Sequence, residues 1–143
     1  DLELDIQYKT MAGKKLDPSN IAQGTDFVVE VRIKNPGDRG INYEEMALSQ
    51  IFPSGWEFNN SRMDQIQAFA NSARAEYQDI RDDRVYTYFD LKAKKEQVYR
   101  LQLNAAYQGR FYLPTVYCEA MYDQTISAQQ PGMWVNVVSP NTL

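Results

Sequence analysis

Apolar and polar residues alternate along most of this 143-residue chain, and that alternation constrains its fold more than any other feature. A period of two places every second side chain on the same face of a strand, so one face can be buried. Runs of this kind occur at 2–8, 27–33 and 99–107. Runs with many β-branched and aromatic residues occur at 85–91, 111–122, which is interrupted near Pro114, and 133–138, and a mixed run at 43–52 contains Met46, Leu48 and the pair Ile51-Phe52. Each run predicts one strand, or a pair of strands at 111–122, with the strands at 2–8 and 27–33 each buried on one face.

Segments rich in Gly, Pro and Asp separate these runs and predict turns. About seven strands joined in this way are typical of an antiparallel β-sandwich, so the predicted fold class is all-β. Between residues 59 and 76, apolar residues recur every three to four positions, which indicates one short helix or an irregular insertion. The length fits one domain, predicted over residues 1–139 with 140–143 as a tail.

The charge and the residue types exclude several classes of function. Lys and Arg total 15 against 19 Asp and Glu, a formal charge of -4, which is the wrong sign for a nucleic-acid partner. The chain has no histidine and one cysteine, so it lacks the commonest general base and zinc ligand and cannot form an internal disulfide. No apolar run approaches the roughly 20 residues that span a bilayer. We therefore predict a chain that is not an enzyme and uses no cofactor or metal.

Cys118 is the one residue that suggests a nucleophile or a thioester. A cysteine nucleophile needs an activating base, for which this chain offers only Lys or a carboxylate. An internal thioester needs a glutamine at the third position after the cysteine, and Met121 occupies that position. We predict a buried, inert thiol.

The segment 79–84 contains three aspartates and two arginines and resembles a carboxylate cluster. Calcium takes six or more oxygen ligands, usually from a loop with a pivotal glycine, whereas arginines here compete for the carboxylates. We therefore predict a structural ion-pair turn before the strand at Val85, formed by Arg81, Asp82, Asp83 and Arg84.

Aromatic residues make up 13% of the chain, which raises the alternative of a carbohydrate-binding β-sandwich module. Tyr86 and Tyr88, on the predicted outer face of one strand, are the candidates for stacking on sugars. The same residue types also fill the core of a sandwich, and these two would equally suit docking against a neighbouring domain.

Several stretches together resemble one family, the C-terminal macroglobulin-like domain of bacterial alpha-2-macroglobulins. They are Ile-Phe-Pro-Ser-Gly-Trp-Glu-Phe-Asn at 51–59, Asp-Ile-Arg-Asp-Asp-Arg-Val at 79–85, Gly-Arg-Phe-Tyr-Leu-Pro at 109–114 and Glu-Ala-Met-Tyr at 119–122. Each is short, but their order and spacing fit the family along essentially the whole chain. Since the chain starts directly with a strand pattern and without Met, we expect it to be a domain of a longer protein.

The resemblance implies a non-catalytic domain of a large periplasmic protease inhibitor, anchored to the inner membrane by a distant lipid. Such proteins collapse around a protease after it cleaves their bait region, and many capture it through a thioester in a separate domain. The implied partners are neighbouring domains of the same chain, including the thioester domain, and proteases for the whole protein. Met121 and Tyr122 are the predicted docking residues, in a loop followed by a polar segment at 124–132. They could equally finish a strand and cap the core.

Overall fold

The computed structural model describes residues 2–58 and 77–141, and this part of the chain is built from strands alone. The strands are β1 (Glu3–Thr10), β2 (Asn20–Ala22), β3 (Asp26–Lys34), β4 (Tyr43–Ile51), β5 (Trp56–Phe58), β6 (Tyr77–Ile80), β7 (Arg84–Leu91), β8 (Glu96–Ala105), β9 (Gly109–Leu113), β10 (Val116–Ala120), β11 (Asp123–Gln130) and β12 (Met133–Val138). The all-β prediction is confirmed, although twelve strands replace the expected seven. The short helix or irregular insertion predicted at 59–76 lies outside the described residues. No helix in the described ranges is long and apolar enough to cross a bilayer.

The strands form three sheets. Sheet I has the order β1-β3-β8-β5, sheet II the order β11-β10-β4-β7-β6, and sheet III the order β2-β12-β9. All pairs are antiparallel except β2 with β12, which run parallel. The fold is therefore a β-sandwich to which a small third sheet is attached, and its antiparallel character holds for the two large sheets.

The inner faces of sheets I and II supply most of a single core. Phe27 and Val31 on β3 and Leu101 on β8 are at most 2% exposed, as are Met46 and Leu48 on β4. Other residues predicted to line the core, Leu4 and Ile6, are partly buried against it. The burial of these apolar side chains, worth about 25 cal/mol per Å² of surface removed from water, is the main contribution to folding.

The prediction that β3 is buried on one face only is wrong. Its outward residues Val28 and Glu30 are 2% and 4% exposed. Strand β3 lies between β1 and β8, and the long side chains of Lys9 and Arg100 on these neighbours reach Glu30. An interior strand flanked by long side chains is thus covered on its outer face as well.

The sequence patterns do not predict four of the strands, β2, β5, β6 and β11. The first two have three residues each, too few to show a period. Strand β11 occupies most of the polar segment at 124–132, so the loop predicted around Met121 and Tyr122 is only a two-residue turn. In β11 only Ile126 is fully buried, because the strand lies at an edge of sheet II and its other residues remain partly or fully exposed.

Strands β9 to β12 form one long, bent ribbon. Strand β10 pairs with β11 in sheet II, and β9 pairs with β12 in sheet III. The two halves meet where Pro114–Thr115 and Pro131–Gly132 interrupt the strands. The ribbon therefore carries the turn at 121–122 at one end and the outer face of sheet III at the other.

Candidate docking site

Met121 and Tyr122 form the turn between β10 and β11, which we call the hairpin tip. Their side chains are 59% and 54% exposed. This exposure excludes the alternative in which they cap the core, because neither contributes to the buried cluster. Large apolar side chains left bare at adjacent positions are typical of an interaction surface.

A bulge in β4 holds one side of the hairpin tip. The amide of Met121 donates to the carbonyl oxygen of Glu45 at 2.9 Å, and the amide of Glu45 donates to Asp90 Oδ1 at 3.0 Å. Glu45 has a φ of 54°, in the left-handed region that non-glycine residues rarely adopt. The pairing register of β4 shifts between Tyr43 and Met46, which turns the carbonyl of Glu45 toward the tip.

Charged and hydroxyl groups hold the other side of the tip. Asp123 Oδ1 accepts hydrogen bonds from the Thr125 hydroxyl at 2.6 Å and the Thr125 amide at 3.0 Å. Arg39 Nη1 lies 3.7 Å from Asp123 Oδ2 and donates to Thr125 Oγ1 at 3.2 Å. These hydrogen bonds, and then the Arg39 charge, lower the pKa of Asp123. The carboxylate stays ionised at neutral pH, so the contact between the 36–42 loop and the tip persists.

The 36–42 loop is itself fixed by Asn35, which is fully buried. The Asn35 amide nitrogen donates to the carbonyl oxygens of Ile41 at 2.9 Å and Leu91 at 3.2 Å, and its Oδ1 accepts from the amide of Gly37. Ile41 is 47% exposed, close in sequence to Arg39, which contacts Asp123. Ile41 is therefore a third exposed apolar side chain, and it lies in the 36–42 loop that contacts the hairpin tip.

The predicted ion-pair turn at 81–84 forms two separate ion pairs. Arg84 binds Asp83 through two hydrogen bonds of 2.9 and 3.2 Å, while Arg81 binds Asp79 at 3.2 Å. The Arg84 guanidinium lowers the pKa of Asp83, and Asp83 with the Tyr86 hydroxyl raises the pKa of Arg84. Asp82 is exposed in the turn between β6 and β7. The arrangement stabilises a turn, and its role as a structural element stays a prediction.

Cys118 lies on β10 and is fully buried. Burial, with a smaller contribution from the charge of Glu119, raises the pKa of the Cys118 thiol to about 12. Such a thiol is protonated at neutral pH and is a poor nucleophile. Within residues 2–58 and 77–141, no three acidic or thiol side chains are grouped as metal ligands.

Two aromatic groups on outer faces differ in exposure. Tyr86 and Tyr88 point outward from β7 as predicted, but both are only partly exposed, and the Tyr86 hydroxyl accepts a bond from Arg84. Trp134 on β12 and Tyr112 on β9, which the sequence reasoning passed over, are 53% and 48% exposed. A signal existed, because alternation along 133–138 buries Val135 and Val137 and so turns Trp134 outward. The exposed side chains point to surface recognition.

Comparisons with known proteins place this fold in one family. A family model described as the MG10 domain of bacterial alpha-2-macroglobulin matches residues 2–124. The alpha-2-macroglobulin of Pasteurella multocida is 30% identical over 129 residues, which are 89% of this chain and 6% of that protein. Two other curated relatives are matched over 8% and 6% of their length, so the chain spans less than a tenth of each.

Solved structures agree on the fold. Salmonella alpha-2-macroglobulin reacted with methylamine has a TM-score of 0.83 and 19% identity, over 97% of this chain and 9% of that one. Native Escherichia coli alpha-2-macroglobulin, from domain MG7 to the C-terminus, also has a TM-score of 0.83, with 16% identity over 97% of this chain and 23% of that one.

Proposed function

The chain belongs to the MG10 domain family of bacterial alpha-2-macroglobulins, and on that premise we propose that it is a non-catalytic domain of a protease-trapping protein. In this proposal the hairpin tip packs against the thioester region of the same polypeptide and shields it from water until a protease triggers the trap. The parent protein works in the periplasm, held at the inner membrane by a lipid anchor far from this domain.

One observation carries the proposal: two exposed apolar side chains, Met121 and Tyr122, on a turn held at both sides by hydrogen bonds and an ion pair. A shield for a reactive acyl bond must exclude water with apolar atoms and must keep its position. Met121 and Tyr122 provide the apolar atoms that exclude water. The hydrogen bond from the β4 bulge and the Arg39 contact keep the turn in position.

The related proteins support the chemistry. The Salmonella protein has been crystallised after reaction with methylamine, and solved structures exist of the E. coli protein activated by porcine elastase and by trypsin. We carry amine reactivity and protease activation over to the parent of this chain as part of the proposal. The domain itself then contributes binding surface alone, because the Cys118 thiol is buried and protonated.

The test uses the parent protein and its reaction with methylamine, followed by release of a thiol. We expect Met121→Ala and Tyr122→Ala to speed thiol release at least several-fold before any protease is added. Gln129→Ala, an exposed change on the same hairpin away from the tip, is the matched control and leaves the rate unchanged. Absence of thiol release from the unmodified parent would exclude the shielding role.

The stability of the domain separates docking from packing. We expect both tip variants to melt within a few degrees of the original chain, because exposed side chains add little to folding. An unchanged methylamine rate combined with a stability loss of about 2 to 5 kcal/mol, typical of truncating a buried large side chain, would contradict the proposal.

A second test concerns the isolated 143-residue chain. Because trapping needs the bait and thioester regions, the domain alone should not slow trypsin or elastase at any stoichiometry. Stoichiometric inhibition, or polysaccharide binding that is lost in Tyr86→Ala or Tyr88→Ala, would favour a different function, with the second result pointing to the carbohydrate-binding alternative.

A further inference from the structure

The outer face of sheet III presents a compact group of three side chains, Arg110, Tyr112 and Trp134. Tyr112 and Trp134 are direct cross-strand partners on β9 and β12, and their ring centroids are 5.3 Å apart at 70°. The Arg110 guanidinium carbon lies 4.7 Å from the centroid of the Trp134 ring. We call this group the aromatic face. Its two rings are about half exposed, at 48% and 53%.

Arg110 differs from the other arginines in the described ranges. Each of the other five has a carboxylate within 3.7 Å: Arg32 with Glu96, Arg39 with Asp123, Arg81 with Asp79, Arg84 with Asp83 and Arg100 with Glu30. Among the residues that the structure describes, Arg110 has only the ring of Trp134. Stacking on an indole fixes the plane of a guanidinium and leaves its N–H groups at the edge for a planar acceptor.

The position of Tyr112 is also specified by the fold. At Gly132, where the ribbon bends, an added Cβ would lie 2.4 Å from the Tyr112 hydroxyl oxygen and 2.5 Å from the Leu113 carbonyl oxygen. The tyrosine ring therefore packs over a position where a larger residue could not fit. The aromatic face is pre-organised, because Arg110 stacks on Trp134 and the Tyr112 ring packs against Gly132. Pre-organisation lowers the entropy lost on binding.

We propose that the aromatic face is a second docking surface, occupied by another domain of the same long polypeptide that places an Asp or Glu carboxylate against Arg110. This inference rests on the proposed function, in which the domain packs within a parent protein. The relatives extend far beyond the matched segment, so other domains are available as the occupant. Arg110 is an oriented cation without a carboxylate in a domain of charge -4, and Trp, Tyr and Arg dominate binding hot spots.

A sugar ring is the less favoured occupant of this surface. Sugars stack on an open aromatic face, whereas the Arg110 guanidinium covers one face of Trp134 and the Tyr112 ring meets Trp134 at a steep angle. A carboxylate instead pairs with Arg110 without displacing it, through two parallel hydrogen bonds.

The ribbon connects this surface to the hairpin tip. Trp134 follows Met121 by 13 residues along β11 and β12, a contour of about 40 Å at 3.3 Å per residue. The two surfaces lie on different sheets, the hairpin tip at the end of sheet II strands and the aromatic face on sheet III. The domain can therefore hold two neighbours at once through one continuous ribbon.

The test places a photocrosslinking amino acid, p-benzoylphenylalanine, at position 112 of the intact parent and identifies the linked peptides by mass spectrometry. We expect crosslinks within the same chain, to a segment of another domain that contains Asp or Glu. Arg110→Glu should lower the yield at least five-fold, while Arg110→Lys should lower it only about two- to three-fold, because the charge remains but the two parallel hydrogen bonds are lost. Lys14→Glu, the same charge change at an exposed site in the β1–β2 connection, should leave the yield unchanged.

Other outcomes would overturn the inference. These are crosslinks only to a second copy of the chain or to polysaccharide, an equal yield in Arg110→Glu, or no crosslink at all. A parallel probe at position 121 separates this failure from failure of the proposed function. Crosslinks from 121 but not from 112 would remove the second surface and leave the hairpin tip in place.

Discussion

At the scale of single residues, Asn35 determines how the loops beside the hairpin tip are arranged. Its side chain bonds three main-chain groups, and its own main chain bonds Lys94 and Lys95 in the turn between β7 and β8. A polar side chain can be fully buried only when its groups are paired, and here they pair with main-chain groups of the 36–42 loop and of the end of β7. Asn35 is thus a structural residue of the 36–42 loop.

Replacing Asn35 with Ala should lower the free energy of unfolding by about 2 to 4 kcal/mol, because the carbonyl oxygens of Leu91, at a buried site, and of Ile41, at a partly buried one, lose their donor. Urea denaturation of the isolated chain measures this. Asn104→Ala is the matched control, since the Asn104 amide also donates to a carbonyl but lies in a more exposed position. Equal losses in the two variants would contradict the role of burial.

Glu30 is the second residue whose environment decides its behaviour. Its side chain is 5% exposed, and its carboxylate binds Arg100 at 2.8 Å and Lys9 at 3.2 Å. Burial alone raises the pKa of Glu30, but the hydrogen bonds and charges of Arg100 and Lys9 outweigh it, and the net pKa is lowered. A carboxyl with a lowered pKa in the folded state stabilises the protein above its unfolded pKa, near 4.3, and this stabilisation is lost as the pH falls through the folded value.

We therefore expect Glu30→Gln to lower stability by about 1 to 3 kcal/mol at pH 7. The difference between the variant and the original chain should shrink as the pH falls from about 5 to 3, because the original carboxylate becomes protonated. Chemical denaturation across this pH range measures it. A difference that stays constant down to pH 3 would show that the charge of Glu30 contributes nothing.

At the scale of elements, the bulge in β4 couples two strands to the hairpin tip through main-chain groups of Glu45. The left-handed conformation at φ 54° is strained for glutamate and relaxed for glycine. Glu45→Gly should therefore raise the stability by up to about 1 kcal/mol while keeping the bond to Met121.

Glu44→Gly is the control for this prediction. Residue 44 is exposed and lies in the same bulge, but it is outside the left-handed region, so glycine there should cost about 0.5 to 1 kcal/mol. Thermal melts of both variants test whether the two substitutions change the stability in opposite directions. A loss of stability in Glu45→Gly would mean that the glutamate side chain matters more than its backbone conformation.

At the scale of the whole molecule, sheet III is joined to the sandwich through a close contact between Gly55 and Phe111. A Cβ at residue 55 would lie 2.2 Å from the Phe111 ring, and the Gly55 carbonyl accepts hydrogen bonds from the amides of Ala106 and Tyr107. Gly55 therefore allows the strand β9 to approach the turn before β5 and to bring the aromatic face into place.

Gly55→Ala should destabilise the chain by about 1 to 3 kcal/mol, because the Phe111 ring or the backbone must move. The backbone of Gly55 is outside the left-handed region, so the cause is space. Calorimetry of Gly55→Ala, Phe111→Leu and the double variant tests this steric cause. In the double variant the smaller Leu should recover part of the stability lost in Gly55→Ala, whereas additive losses would exclude the proposed contact.

The class of fold, most strand positions and the family could all be predicted from the amino-acid sequence. Alternation is a local property, and strands such as β1 and β8 are long enough to display it. Short motifs in a fixed order identified the family, and the absence of histidine restricted the chemistry before any contact was known. The sequence also indicated Met121 and Tyr122 as docking candidates, but it left open whether their side chains belong to the core.

Which polar positions lie in strands or in the core, and which apolar positions remain exposed, depends on contacts between distant segments. Strand β11 forms because β10 supplies its partner, and Glu30 is buried because Lys9 and Arg100, 21 and 70 residues away, meet at it. The Arg110–Trp134 contact likewise depends on the register of β9 and β12. Such features arise from pairing between distant segments, and a one-dimensional pattern records the period of each strand but not the partner that lies beside it.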